Sequence, residues 1–175
     1  THNKKDSTGI CFIGETHFRK FLNRFLPLKK GPIMDLDGRE IGEHHGAVYY
    51  TLGQRKGLGI GGVKNAGEDP WFVVGKDVAK NIIFAAQGAD NPALLERQLY
   101  TAGVSWISGE APKFPFDCSA KIRYRQADQV CTVSESMNNE LKVTFRDEQR
   151  SITPGQSVVF YTEDQCLGGG VISRT

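Results

Sequence analysis

Six short runs rich in β-branched and aromatic residues recur at close, even intervals through the second half of this chain. They constrain its fold more than any other feature. They cover residues 99–108, 117–125, 131–134, 140–145, 156–162 and 169–173. Turn-forming pairs, Asn138 with Asn139, Asp147 with Glu148, Pro154 with Gly155 and Glu163 with Asp164, separate most of them. Val158 and Phe160 alternate with Ser157, Val159 and Tyr161, and Ile122 and Tyr124 alternate with Lys121, Arg123 and Arg125. That period of two marks half-buried strands, with Tyr124 on the inward set. Regularly spaced short strands predict a small antiparallel barrel, here six-stranded. The run Gly168, Gly169, Gly170 suits close packing at a barrel corner.

A smaller β unit precedes the barrel. Ile33, Met34 and Asp35 are separated from Arg39, Glu40 and Ile41 by Asp37 and Gly38, a hairpin signal because glycine tolerates the positive φ of a tight turn. Further strands are predicted at 48–51, 71–74 and 81–84. Gly88, Asp90, Asn91 and Pro92 lie in a stretch of little β character, 87–99, where a domain boundary is expected. Ahead of both units, Phe18, Phe21, Leu22, Phe25 and Leu26 follow a helical rhythm that Pro27 ends. The chain is therefore read as mainly β: a segment 1–28 with a short helix, a central β domain 29–90 and a barrel 91–175.

Several function classes are excluded. The longest apolar stretch, 82–86, is far too short to cross a membrane, and no signal peptide is expected, since no basic start followed by an apolar run is seen. Gly57 to Gly62 formally matches G-x-G-x-x-G, but no helix is predicted after it, so a dinucleotide site is rejected and a glycine-rich loop carrying Arg55 and Lys56 is preferred. No phosphate loop for a nucleoside triphosphate is present. The cysteines, Cys11, Cys118, Cys131 and Cys166, form no C-x-x-C pair, and the four histidines supply no metal-ligand spacing, so no metal site is expected. Without a secretion signal, four such cysteines fit a reducing cytosol. A net charge of +2 says little about partners. Along the chain, however, residues 1–30 carry seven Lys and Arg against two acids, and Lys121, Arg123 and Arg125 add a second basic patch around Tyr124.

Cys11 sits in an apolar segment bracketed by Gly9 and Gly14, with Lys4, Lys5, Arg19 and Lys20 near in sequence. A buried structural cysteine and a thiolate favoured by positive charge both fit that context. The segment Ser7-Thr8-Gly9-Ile10-Cys11-Phe12-Ile13-Gly14-Glu15 resembles the second-cysteine motif of the tRNA-specific 2-thiouridylases. The run from Tyr50 to Gly59 is similar to that family's central-domain signature. Residues 121–126 and 153–161 resemble its terminal barrel, which is itself similar to the second domain of translation elongation factors.

The resemblance implies a catalytic role for Cys11 as the persulfide carrier, and tRNA contacts by Arg123, Tyr124 and Gln156. Arg55 and Lys56 join these on loop position and charge alone. It further implies that ATP, with magnesium, is used by an adenylating domain that precedes these motifs in the family. Since the chain starts Thr1-His2-Asn3 without Met, it is expected to be a piece of such a protein, inactive alone and holding no cofactor itself. The implied partners are the tRNAs for Lys, Glu and Gln and a sulfur-relay protein or cysteine desulfurase, in the cytoplasm. The competing reading is a non-catalytic RNA-binding module like those of translation factors.

Overall fold

The computed structural model describes residues 25, 29–63, 66–124, 126–137 and 140–175. Cys11 and most of the expected helix 18–26 lie outside the described residues. The rest divides between a four-stranded sheet and a closed barrel.

The sheet is built from β1 (Gly31–Met34), β2 (Glu40–His44), β3 (Trp71–Asp77) and β4 (Ile82–Gln87), in the order β2-β1-β4-β3. The β1–β4 pair is parallel and the others antiparallel. The expected β1–β2 hairpin is present, with Gly38 at φ 80°. Asp35 ties it together: its carboxylate accepts from the Asp37 and Arg39 backbone N–H groups (3.0 and 2.8 Å) and from Arg39 Nε (2.7 Å). These bonds, the Arg39 amide foremost, hold the Asp35 carboxyl below its ordinary pKa.

The strand expected at 48–51 is not formed, and a 3₁₀ turn, Ala47–Tyr49, stands in its place. Gly46 turns the chain at φ 127°, and the Asn81 side chain holds it there, accepting from the Ala47 N–H (3.1 Å) while donating to the Lys29 and Lys30 carbonyls. Asn81 accordingly occupies a left-handed turn position, φ 57°, and β4 starts one residue later than expected. The turn drives Tyr50 into the core beside Ile33, Leu58, Val73 and Ile83, its ring edge-on to the buried His44.

The barrel runs through β5 (Leu95–Trp106), β6 (Phe116–Lys121), β7 (Gln129–Glu135), β8 (Leu141–Arg150), β9 (Ser157–Thr162) and β10 (Gln165–Arg174). Its order is β10-β5-β8-β7-β6-β9, every pair antiparallel and β9 closing on β10. The expected six-stranded antiparallel barrel is thus present. Leu99, Val133, Val143, Val158, Phe160 and Ile172 fill it, and Trp106 stacks on Phe160 at 5.8 Å. Cys131 belongs to this core, with Cys118 opposite it across the β6–β7 pair at an Sγ–Sγ distance of 3.7 Å. The glycine run of β10 packs as expected: a Cβ on Gly169 would stand 2.6 Å from the Val158 carbonyl oxygen.

Two expectations for the barrel fail. Asp147 and Glu148 make no turn between strands, because β8 continues to Arg150. Gln149 pairs with Glu96 and Thr144 with Gln98, so residues 145–148 stand opposite Arg97 alone in this ladder. Phe145 keeps its pairing with Cys131 of β7 and its place in the core, and the exposed residues 146–148 bulge before the ladder resumes. The strand expected over 117–125 stops at Lys121, and Arg123 and Tyr124 leave the sheet.

Candidate nucleic-acid interface

The early end of β6 creates the site. Ile122 is the last side chain to point into the barrel, and its N–H donates to Gln126 Oε1 (3.0 Å). The Gln126 N–H donates back to the Arg123 carbonyl (3.2 Å), which closes a tight turn. Behind the turn stands Gln149, a buried side chain on β8. Its Oε1 accepts from Gln126 Nε2 (2.8 Å), and its Nε2 donates to Gln129 Oε1 (3.0 Å) and to the Asp147 carbonyl (2.9 Å). An amide chain thus fixes where the turn projects. Tyr124, expected to face inward, is 70% exposed at the tip.

The turn forms one wall of a groove of about 1300 Å³ whose floor is the outer face of β6 and β9. Arg123, Tyr124 and Gln156 all line it, together with Lys121, Ser157 and Tyr161. Gln156 is delivered by the turn at Pro154 and Gly155, its backbone locked between the Thr153 carbonyl (3.1 Å) and the Ile172 N–H (2.8 Å). Arg123 Nη2 donates to the Ser151 carbonyl (3.1 Å), which holds the guanidinium against the groove wall. Lys121 Nζ lies 3.3 Å from the Asp128 carboxylate and 5.2 Å from the centre of the Tyr161 ring. Asp164 also lines the groove, so among the described lining residues Lys121 and Arg123 are balanced by Asp128 and Asp164. Among the described residues this surface offers ring faces, amides and one guanidinium, a set suited to unpaired bases rather than to a duplex backbone.

Arg55 and Lys56 are not brought to the groove wall. Arg55 lines a separate cavity of about 490 Å³ beside the glycine run, and Lys56 is exposed. Their loop nonetheless starts at the barrel. Gly53, at φ 77°, lies so close that an added Cβ would meet the Ser151 side chain and stand 3.8 Å from Arg123 Nη2. The next bonds tie the loop to β3, Gly53 N–H to the Val73 carbonyl (2.8 Å) and Val73 N–H to the Gln54 carbonyl (3.0 Å). Arg150 adds a second link between sheet and barrel, 4.7 Å over the Phe72 ring and bonded to the Ala89 carbonyl.

Sequence reasoning overlooked Gln149 and Tyr161. Tyr161 was legible as the outward set of β9, whereas Gln149 carried no signal because its strand was not expected. The cavity at the glycine run also includes Glu68 and Asp69, and no α-helix among the described residues follows it, so these residues do not fit the phosphates of ATP. Among the described residues no group of three or more His, Cys, Asp or Glu is placed to hold a metal. None of their helices is long and apolar enough to cross a membrane.

Sheet and barrel each match a known family model. Residues 19–87 match the tRNA methyl transferase PRC-barrel domain, and residues 96–172 match the aminomethyltransferase beta-barrel domain. Over 172 residues, 98% of this chain, it is 56% identical to the tRNA-specific 2-thiouridylase MnmA of Francisella tularensis subsp. novicida and 56% identical to that of Francisella philomiragia. The chain belongs to the tRNA-specific 2-thiouridylase family. It spans about half the length, 48%, of the curated relatives it matches.

Proposed function

We propose that this chain is the sulfur-carrying and tRNA-holding part of a tRNA-uridine 2-sulfurtransferase. The observation that carries this reading is the groove on which Arg123, Tyr124 and Gln156 converge, in a chain more than half identical to proteins named for that activity. Arg123 binds phosphate or stacks on a base, Tyr124 stacks, and Gln156 reads a base edge or a sugar. Arg55 and Lys56, on the loop that begins at Gly53, add positive charge outside the groove.

In the complete protein, ATP bound with magnesium by the remaining half adenylates the C2 oxygen of the wobble uridine in the tRNAs for Lys, Glu and Gln. The terminal sulfur of a Cys11 persulfide attacks C2 and AMP leaves. A second cysteine outside this chain then forms a disulfide with Cys11 and releases the sulfur to the base. The sulfur arrives from a cysteine desulfurase or a relay protein in the cytoplasm. The 175 residues alone bind tRNA but do not modify it, because adenylation falls to the remaining half.

The test is mass spectrometry of the chain after incubation with a cysteine desulfurase and cysteine. A gain of about 32 Da, one sulfur atom, is expected on Cys11 and on no other cysteine. If Cys11 stays unmodified while the groove still binds RNA, the chain is a non-catalytic RNA-binding module instead.

A further inference from the structure

The groove is longer than its three named residues require. Gln156 immediately precedes β9 and Tyr161 is five residues further on, so at strand spacing they stand about 16 Å apart along the floor. No single base spans that distance. Tyr161 faces outward because it alternates with the buried Val158 and Phe160, and it pairs across the floor with Ser119 of β6. Its half-buried ring is fixed by the strand, a rigid aromatic face rather than a loop-borne one. Lys121 sits over that ring, yet its charge is matched by Asp128, and Asp164 follows shortly after Tyr161.

The geometry points to a second nucleotide subsite in the groove, with Tyr161 as the platform on which an unpaired base neighbouring the one at Arg123, Tyr124 and Gln156 stacks. Lys121 borders that base and moves between the ring and Asp128. The subsite reads ring faces and not phosphate charge, since its own lysine is already paired. The groove therefore takes a run of single-stranded RNA, and Tyr161 sets how many unpaired nucleotides are needed for full affinity. The inference rests on the RNA reading above and adds a residue and a length requirement to it.

Fluorescence anisotropy of the chain with labelled hexauridylate, repeated from about 50 to about 200 mM salt, tests this. Tyr161→Leu keeps the apolar burial and removes the aromatic ring, and Tyr161→Phe keeps the ring. Tyr161→Leu is expected to weaken binding about tenfold at every salt concentration, with Tyr161→Phe near the parent. The slope of log Kd against log salt stays unchanged in both, whereas Arg123→Ala lowers it by about 0.7. With the dinucleotide UpU as ligand, Tyr161→Leu binds as the parent does. If Tyr161→Leu binds hexauridylate like the parent while Arg123→Ala is weakened, the second subsite is refuted and the RNA reading survives. If Arg123→Ala and Gln156→Ala also bind like the parent, or the parent binds no RNA, both fall. A Tyr161→Leu loss accompanied by a changed slope overturns the neutral stacking role.

Discussion

Replacing Gln149 by Leu removes the amide that braces the groove turn while leaving an apolar side chain of similar size in the space. Three hydrogen bonds are lost, one accepted from Gln126 and two donated, to Gln129 and to the Asp147 carbonyl. Each contributes about 0.5–1.5 kcal/mol net, so losing all three costs about 3 kcal/mol before any recovery. Gln126 and Gln129 are half-buried and Asp147 is exposed, so water satisfies part of what is orphaned. The expected net loss is about 2 kcal/mol. Urea unfolding followed by Trp106 fluorescence, in a Trp71→Phe background, reads the barrel, because Trp106 stacks on Phe160 in its core. Gln98→Leu, at an exposed position, serves as a control expected within about 0.5 kcal/mol of the parent. A cycle with Gln126→Leu should return a coupling of about 1 kcal/mol. A Gln149→Leu effect as small as the control's, or a coupling of zero, would refute the bracing role.

Gly53→Ala places a methyl group against Ser151 at φ 77°. The left-handed conformation alone costs about 1–2 kcal/mol, so thermal unfolding should begin earlier, and hydrogen exchange at residues 51–57 should quicken. An unchanged exchange pattern would mean that the loop is not seated on the barrel. His44 accepts from the Gly46 N–H at Nδ1 (2.9 Å), which leaves Nε2 to donate to the Asn81 carbonyl (3.0 Å). Burial, with the His45 charge adding, lowers its pKa against the opposing Asn81 bond and Glu43 charge. The unfolded chain therefore binds the proton more readily, and stability is full above about pH 6.5 and falls as pH drops below it. Unfolding midpoints from pH 8 to 5.5 should show that decline, and it should flatten in His44→Gln; equal slopes in parent and variant would count against it.

The barrel was legible because its strands carry alternating cores and local turn chemistry, as at Pro154 with Gly155 and Glu163 with Asp164. Legibility failed where a distant partner decides the backbone. Tyr49 and Tyr50 have strong β preference, yet Asn81, more than thirty residues on, bends their segment into a 3₁₀ turn. Tyr124 continues the alternation of its strand, yet the Gln126–Gln149 bond pulls the chain away after Ile122. Arg123, Tyr124 and Gln156 were nominated by resemblance, and the groove that gathers them was not readable from spacing, since it depends on where β6 stops. Cys11 lies outside the described residues.

The pairing of Gly53 and Gln54 with Val73 also bears on how this chain avoids other copies of itself. A closed barrel presents no unpaired strand edge, but an open four-stranded sheet presents two. On the β3 side the loop that leads to Arg55 and Lys56 occupies backbone groups which another polypeptide would otherwise take. On the β2 side Glu40 and Glu43 charge the rim. Shortening the 51–57 loop would therefore do more than subtract the charge of Arg55 and Lys56: it would uncover a template for intermolecular strand addition, with self-association as the first symptom.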